Sequence, residues 1–273
     1  MTRRTQCKCG MTIDPEIRAH YELGVELDRL ARGASRIEFV RTKELLRRFL
    51  PPAPARVLDV GGGPGVYAEW LADDGYEVRL VDAVSLHVEH AGARAAGRFT
   101  AVQGDARELD ERDETYDAVL LLGPLYHLPD RRDRLRALSE ARRVVRTRGM
   151  VALAAISRFA SLLDGLLQGH LRDAVGRAMV ERDLATGVHR SPPDRPALFT
   201  TAYFHRPEEL HTEVEEAGLT LDGVFGVEGP GWLLGDRLKD ELVRDDVLTV
   251  ARAVEQEPTV IGASGHLLAI AHR

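Results

Sequence analysis

The stretch Val57-Leu58-Asp59-Val60-Gly61-Gly62-Gly63-Pro64-Gly65 runs an apolar strand through one carboxylate into a glycine-packed turn. Glycine at 61, 63 and 65 admits positive φ angles and removes the side chains that would hold a nucleotide-sized ligand off the main chain. Asp59 falls at the strand's carboxyl end, and in an open parallel sheet the crevice beyond those ends is where ligands bind. Two more carboxylates occupy equivalent places. Asp82 closes the apolar run that begins at Glu77, placed to accept hydrogen bonds from two ribose hydroxyls, and Asp105 follows Gly104 after the run Phe99 to Gln103. A dinucleotide-binding turn, G-x-G-x-x-G, fits less well, because it would put glycine at 66, where Val66 stands. A tight turn without a ligand leaves the accompanying acid unexplained.

These groups need a sheet to hold them. A fourth apolar run, Tyr116 to Leu122, leads into Gly123-Pro124-Leu125-Tyr126-His127-Leu128, and helical stretches at roughly 66–74, 85–97 and 130–147 separate the strands. That alternation predicts an α/β sheet covered on both faces. A fifth strand is expected from Met150 to Ile156, with Gly149 stopping the helix before it. Leu219 to Val227 and Gly265 to Ala271 read as paired closing strands, joined by a helix from about Asp236 to Glu255.

Taken together these residues resemble the class I S-adenosylmethionine-dependent methyltransferases, in particular bacterial small-molecule enzymes with a methyltransferase type 11 or 25 domain, over about residues 57–157. The resemblance implies a Rossmann-like seven-stranded sheet in the order 3-2-1-4-5-7-6 with the last strand antiparallel. It implies S-adenosyl-L-methionine as methyl donor, released as S-adenosyl-L-homocysteine. Position by position, it puts Asp59, Gly61, Gly63 and Gly65 around the methionine part, Asp82 with Ala83 at the ribose, Asp105 with the Ala106 amide at the adenine, and Leu122 and Gly123 at the ammonium group. The segments Leu121 to Leu128 and Ile156 to Phe159 are similar to a subgroup whose acceptors are mostly unassigned, so no acceptor follows.

Composition narrows the class. The 273 residues, 44% of them apolar, suffice for one large domain with an inserted cap, and a net charge of −6 argues against a nucleic-acid footprint. Lysine occurs only at Lys8, Lys43 and Lys239, and the dominance of arginine with abundant alanine suggests a GC-rich bacterial gene. No apolar run reaches the roughly 18 residues that span a bilayer, and no segment has the form of a signal peptide, so the cytoplasm is expected. Cys7 and Cys9 lack the further ligands of a zinc site, and no metal is expected. They fall in a polar leader, residues 1–13, expected to be disordered. The remainder, 14–273, reads as a single domain with helices over 14–50 and an acceptor cap at about 158–200.

Asp14 and Pro15 start a helix expected to reach Ala31, and a second begins near Ser35 and ends before Pro51. In the resembling family this leader covers the cofactor's methionine end, which makes Tyr21, Arg29 and Arg41 candidates for its carboxylate. Solvated helix faces are the alternative. The arginine-rich helix after the fourth strand has an inward stripe and interrupting acids, and reads as a solvated mixed-charge face. From Phe159 to about Val180 apolar residues recur at helical spacing, followed by a loop with Pro192, Pro193 and Pro196. An insertion after a strand's carboxyl end overhangs the crevice, so Phe159, His170, Phe199, Tyr203, Phe204 and His205, with Trp232 after its glycine-rich turn, are candidates to line an acceptor pocket.

Methyl transfer is an in-line displacement, so positioning supplies much of the rate. A hydroxyl, phenol or protonated amine must also lose a proton. His127 is the candidate base and Tyr126 the residue to orient the acceptor or face the sulfonium; an electron-rich carbon acceptor would need no base. The expected function is methylation of N, O or C on a small aromatic or amine-bearing metabolite of bacterial secondary metabolism. A non-catalytic protein that senses S-adenosylmethionine is the alternative, and a nicotinamide oxidoreductase fits the glycine turn poorly. The oligomeric state is not readable from the sequence.

Overall fold

Alternation of apolar strands with amphipathic helices gives the expected layering. The computed structural model describes residues 13–24, 26, 27, 29–31, 33–191 and 198–273. Residues 1–12 of the leader, with Cys7 and Cys9, and Pro192, Pro193 and Pro196 lie outside the described residues. In chain order the elements are α1 Pro15–Glu22, α2 Gly33–Phe49, β1 Arg56–Val60, α3 Val66–Asp73, β2 Glu77–Asp82, α4 Ser85–Ala95, β3 Thr100–Gln103, β4 Tyr116–Leu121, α5 Arg131–Val144 and β5 Val145–Ser157. The second half continues with α6 Ala160–Gln168, α7 Ala174–Thr186, β6 Val188–His189, β7 Ala202–His205, α8 Pro207–Glu216, β8 Thr220–Gly226, α9 Glu241–Val254 and β9 His266–His272.

The sheet runs β3-β2-β1-β4-β5-β9-β8. The first five strands are mutually parallel, and β9 is antiparallel to both β5 and β8. With β8 and β9 counted as the sixth and seventh strands of the core, this is the order 3-2-1-4-5-7-6. On one face α5 and α8 bury Leu138, Ala141, Leu210 and Val214 against Leu58, Val60 and Val119. On the other, α2, α3 and α4 bury Leu45, Leu46, Leu71 and Ala91 against Val57, Leu80 and Leu120. Burial on both faces is why the strands are apolar throughout. At the end of β5, Ile156 and Ser157 pair with Phe204 and His205 of β7, and β6 joins β7 as a short antiparallel hairpin. That hairpin brings the insertion back over the carboxyl ends of the sheet.

Four local expectations change. Helix α1 ends at Glu22 rather than Ala31, with Gly24 at φ 72° just beyond it, and a separate 3₁₀ turn covers Arg29–Ala31. Helix α5 stops at Val144 because Val145 is already extended; Gly149 sits inside β5, where a Cβ would lie 2.6 Å from Val145 Cγ2 and 2.9 Å from the Arg146 carbonyl oxygen. The periodic stretch after Phe159 is divided by Gly169, at φ 79°, into α6 and α7, and Leu166, Leu167 and Val175 face outward. Arg134, on the helix read as a solvated face, is buried. No helix among the described residues is long and apolar enough to cross a membrane.

Candidate active site

At the carboxyl ends of β1, β2 and β4 the glycine turn opens onto a cavity of about 500 Å³. Gly61, at φ 69°, lies so close to the next crossover that a Cβ would come within 2.6 Å of Pro124 Cδ. Gly63, at φ 55°, has open space where its side chain would be, and its N–H donates to Asp82 Oδ2 at 2.9 Å. Gly65 corrects the sequence reading. It does not line the cavity; its bare Cα admits Ala91 of α4 and the Phe99 ring, at 3.2 and 3.1 Å from a would-be Cβ. Gly62, passed over in the sequence, is as crowded as Gly61, since a Cβ there would fall 2.5 Å from Asp59 Oδ2 and 2.6 Å from Leu80 Cδ1.

Asp59 is fully buried, and neither carboxylate oxygen has a hydrogen-bond partner. Burial, then the neighbouring Asp82, pushes its carboxyl up to about 7. A buried acid in this condition either keeps its proton or pairs with a cation. Asp82 is held by the N–H groups of Gly63 and Val84, each at 2.9 Å, and by His87 Nδ1 at 3.1 Å. Asp105 is chelated by Arg107, which also reaches Asp133 at 2.6 Å. Ala83, Ala106, Leu122 and Gly123 line the same cavity. The residues fit S-adenosylmethionine, whose sulfonium and ammonium answer the unpartnered Asp59 and whose ribose suits a fixed acceptor at Asp82; bound there, it supplies an electrophilic methyl group.

A second cavity of about 330 Å³ adjoins the first, and Tyr21, Glu26, Arg29 and Tyr126 line both. At this boundary the Tyr21 hydroxyl donates to His127 Nε2 at 2.5 Å, while His127 Nδ1 lies 3.5 Å from the Thr201 carbonyl oxygen. Burial lowers His127 to about 4, partly offset by that carbonyl. Both of its nitrogens are therefore engaged, which suits it to fastening α1 and the β7 approach over the crevice. Tyr126 donates to the Leu122 carbonyl at 3.2 Å. Arg29 already holds Glu38 through two nitrogens, at 2.6 and 3.1 Å, and Glu26 at 2.8 Å. Arg41 is a correction: it lines neither cavity, and its buried guanidinium binds Glu44 and Glu255, both at 2.5 Å.

Of the acceptor candidates, His170, Phe199, Phe204 and Trp232 line the second cavity. Phe159, Tyr203 and His205 do not. Phe159 packs under Gly262 and Arg206, while Tyr203 lies 3.7 Å beneath the Arg134 guanidinium. His205 contacts Glu213, which takes a bidentate pair from Arg134 at 2.7 and 2.9 Å. Burial opposes charge on Glu213, but His205 and Arg134 outweigh it and hold the acid at about 2. Sequence reasoning missed two groups on the cavity wall. His266 stands 2.5 Å from Glu228 and 3.9 Å from Glu38. Burial again opposes its charge, the two acids prevail, and it is raised to about 9, so at neutral pH this cluster is an ion network. The other group is His189, 2.7 Å from Asp183, for which the spacing D-x5-H was the only signal.

Residues 57–149 match the methyltransferase domain family. The chain is 28% identical over 221 residues to a protein of Xylella fastidiosa named ubiquinone biosynthesis O-methyltransferase, covering 78% of this chain and 79% of that one. In fold it is similar to the crystal structure of an S-adenosylmethionine-dependent methyltransferase from Methanosarcina mazei, with a TM-score of 0.58 at 18% identity over 84% of this chain and 96% of the other. A second such structure, from Mesorhizobium loti, aligns with a TM-score of 0.59 at 15% identity over 87% of this chain and all of the other. The sheet order, the glycine turn against a buried unpartnered acid and these similarities together support a class I S-adenosylmethionine-dependent methyltransferase.

Proposed function

We propose that this enzyme methylates a small, largely apolar molecule carrying an aromatic ring or an amine, in bacterial secondary metabolism, and that the second cavity is the acceptor site. The observation that carries the reading is the adjacency of the two cavities, whose walls share Tyr21, Glu26, Arg29 and Tyr126. Walls formed by Ile156, Met179, Phe199, Phe204 and Trp232, with a few polar groups among them, suit a ligand of modest size. The name of the Xylella relative supports oxygen as the receiving atom. A duplex or RNA substrate would call for an open basic face, and three of the arginines of α5 are tied to acids, Arg131 to Glu216, Arg134 to Glu213 and Arg143 to Glu140.

Ala160 lines the second cavity only. In Ala160→Phe, transfer of labelled methyl to a panel of phenols and aromatic amines is expected to collapse while cofactor affinity stays at the parental value. Faster transfer to RNA or folded protein than to any small molecule would overturn the reading.

A further inference from the structure

Two polar atoms on residues lining the second cavity are buried without a partner: Nε2 of His189 and the Ser161 hydroxyl. His189 is 3% exposed, and its ring stacks on Phe204 with centroids 5.0 Å apart. Its Nδ1 lies 2.7 Å from Oδ2 of Asp183, which is itself 0% exposed. A carboxylate on that edge draws the ring proton to Nδ1 and leaves the lone pair on Nε2, at the opposite edge. Asp183 belongs to α7 and His189 to β6, so Nε2 is directed away from α7.

An unpaired buried nitrogen is costly unless a ligand meets it. Two other histidines line this cavity. His266 lies between Glu38 and Glu228 and is protonated at neutral pH, so it has no lone pair to offer there. His170 occupies a half-buried turn. His127, at the cavity boundary, has both nitrogens occupied. The Arg182 guanidinium lies 3.5 Å from the other Asp183 oxygen.

We propose that His189, oriented by Asp183, is the general base of the acceptor site and that the acceptor presents a neutral aromatic hydroxyl, with Ser161 as its second hydrogen-bonding partner. This rests on the acceptor cavity proposed above. The phenolic proton passes to Nε2, giving an imidazolium paired with Asp183. The oxygen lone pair forms the new bond to the methyl carbon as the carbon–sulfur bond breaks, with the bonding electrons remaining on sulfur. The imidazolium then returns its proton to water. His189 touches the acceptor and is catalytic; Asp183 is a positioning residue.

The test uses para-nitrophenol, whose phenolate is coloured, added to the full chain saturated with S-adenosylhomocysteine. Bound dye is expected to ionise about one pH unit or more below free dye, because the imidazolium formed beside it stabilises the phenolate. Asp183→Asn conserves volume but donates to Nδ1, which forces the ring proton onto Nε2. In that variant the shift should vanish and the ring-nitrogen NMR signals should report the opposite tautomer, while affinities for dye and S-adenosylhomocysteine persist. His189→Gln should abolish the shift as well. Dye that binds but ionises as in free solution, or a shift that survives Asp183→Asn, overturns the assignment of the base and leaves the cavity reading standing. Dye affinity identical in Ala160→Phe overturns the cavity reading itself.

Discussion

Cofactor affinity should weaken in mild acid, and Asp59 should be the reason. In the ligand-free protein burial, followed by Asp82, places this carboxyl at about 7, so at neutral pH it is half protonated. Only the ionised form attracts a cation. A bound cofactor that returns the acid to its ordinary value of 3.8 therefore binds with release of a proton throughout the interval between the two values. Well below about pH 7 each pH unit then costs about tenfold in affinity, or about 1.4 kcal/mol, and because half of the acid is already protonated at about pH 7, moving from there to about pH 5 weakens binding about 50-fold. His127, at about 4, and His266, at about 9, titrate outside the span from about pH 5 to about pH 7. The sign reverses for the empty protein. A carboxyl whose value rises on folding stabilises the fold when protonated, so the ligand-free protein loses stability as pH climbs from about 4 through about 7. Calorimetry at about pH 6 in two buffers of unlike ionisation enthalpy measures the released proton, and Asp59→Asn should bind more weakly with no proton release. Zero release in the parent, or the same pH slope in the variant, would refute the argument.

Gly62→Ala should cost about 1–3 kcal/mol, because the added carbon meets the side-chain ends of Asp59 and Leu80, both fully buried, and forces them to shift; melting curves with and without cofactor should show both stability and ligand-induced stabilisation reduced. Glu213→Ala leaves the Arg134 guanidinium buried without its carboxylate and should destabilise by about 3–5 kcal/mol in denaturant titrations, with cofactor affinity of the folded fraction unchanged; a loss below about 1 kcal/mol would mean that Arg134 finds another partner. For His266, whose value rises from 6.5 to about 9 on folding, the stabilisation is fully present below about pH 6.5 and lost as pH rises through about 9, at most about 3 kcal/mol. A melting series across that range should decline in the parent and flatten in His266→Gln.

What the sequence determined by itself is the part of the protein that is locally encoded. The strand, the glycine turn and the helix after it form one contiguous unit whose backbone requirements are written in adjacent residues, and each carboxylate at a strand end inherits its place from the strand. Strand order was implied by the family resemblance that these same residues carry. Tertiary structure decided the rest, and for one physical reason: a long polar side chain finds its partner in space. Arg41 is claimed by Glu255 and ties α2 to the end of α9, while Arg134 is claimed by Glu213, and Tyr203 and His205 by that same pair, so these three are spent on holding α5, α8 and β7 together. The crowding that makes Gly62 a constrained position and Gly65 a helix contact is likewise set by Leu80 and Phe99, from neighbouring strands. Asp183 and His189 are only six residues apart, yet a dyad exists only because Gly187 ends α7 in a left-handed turn, at φ 76°, and β6 folds back against β7.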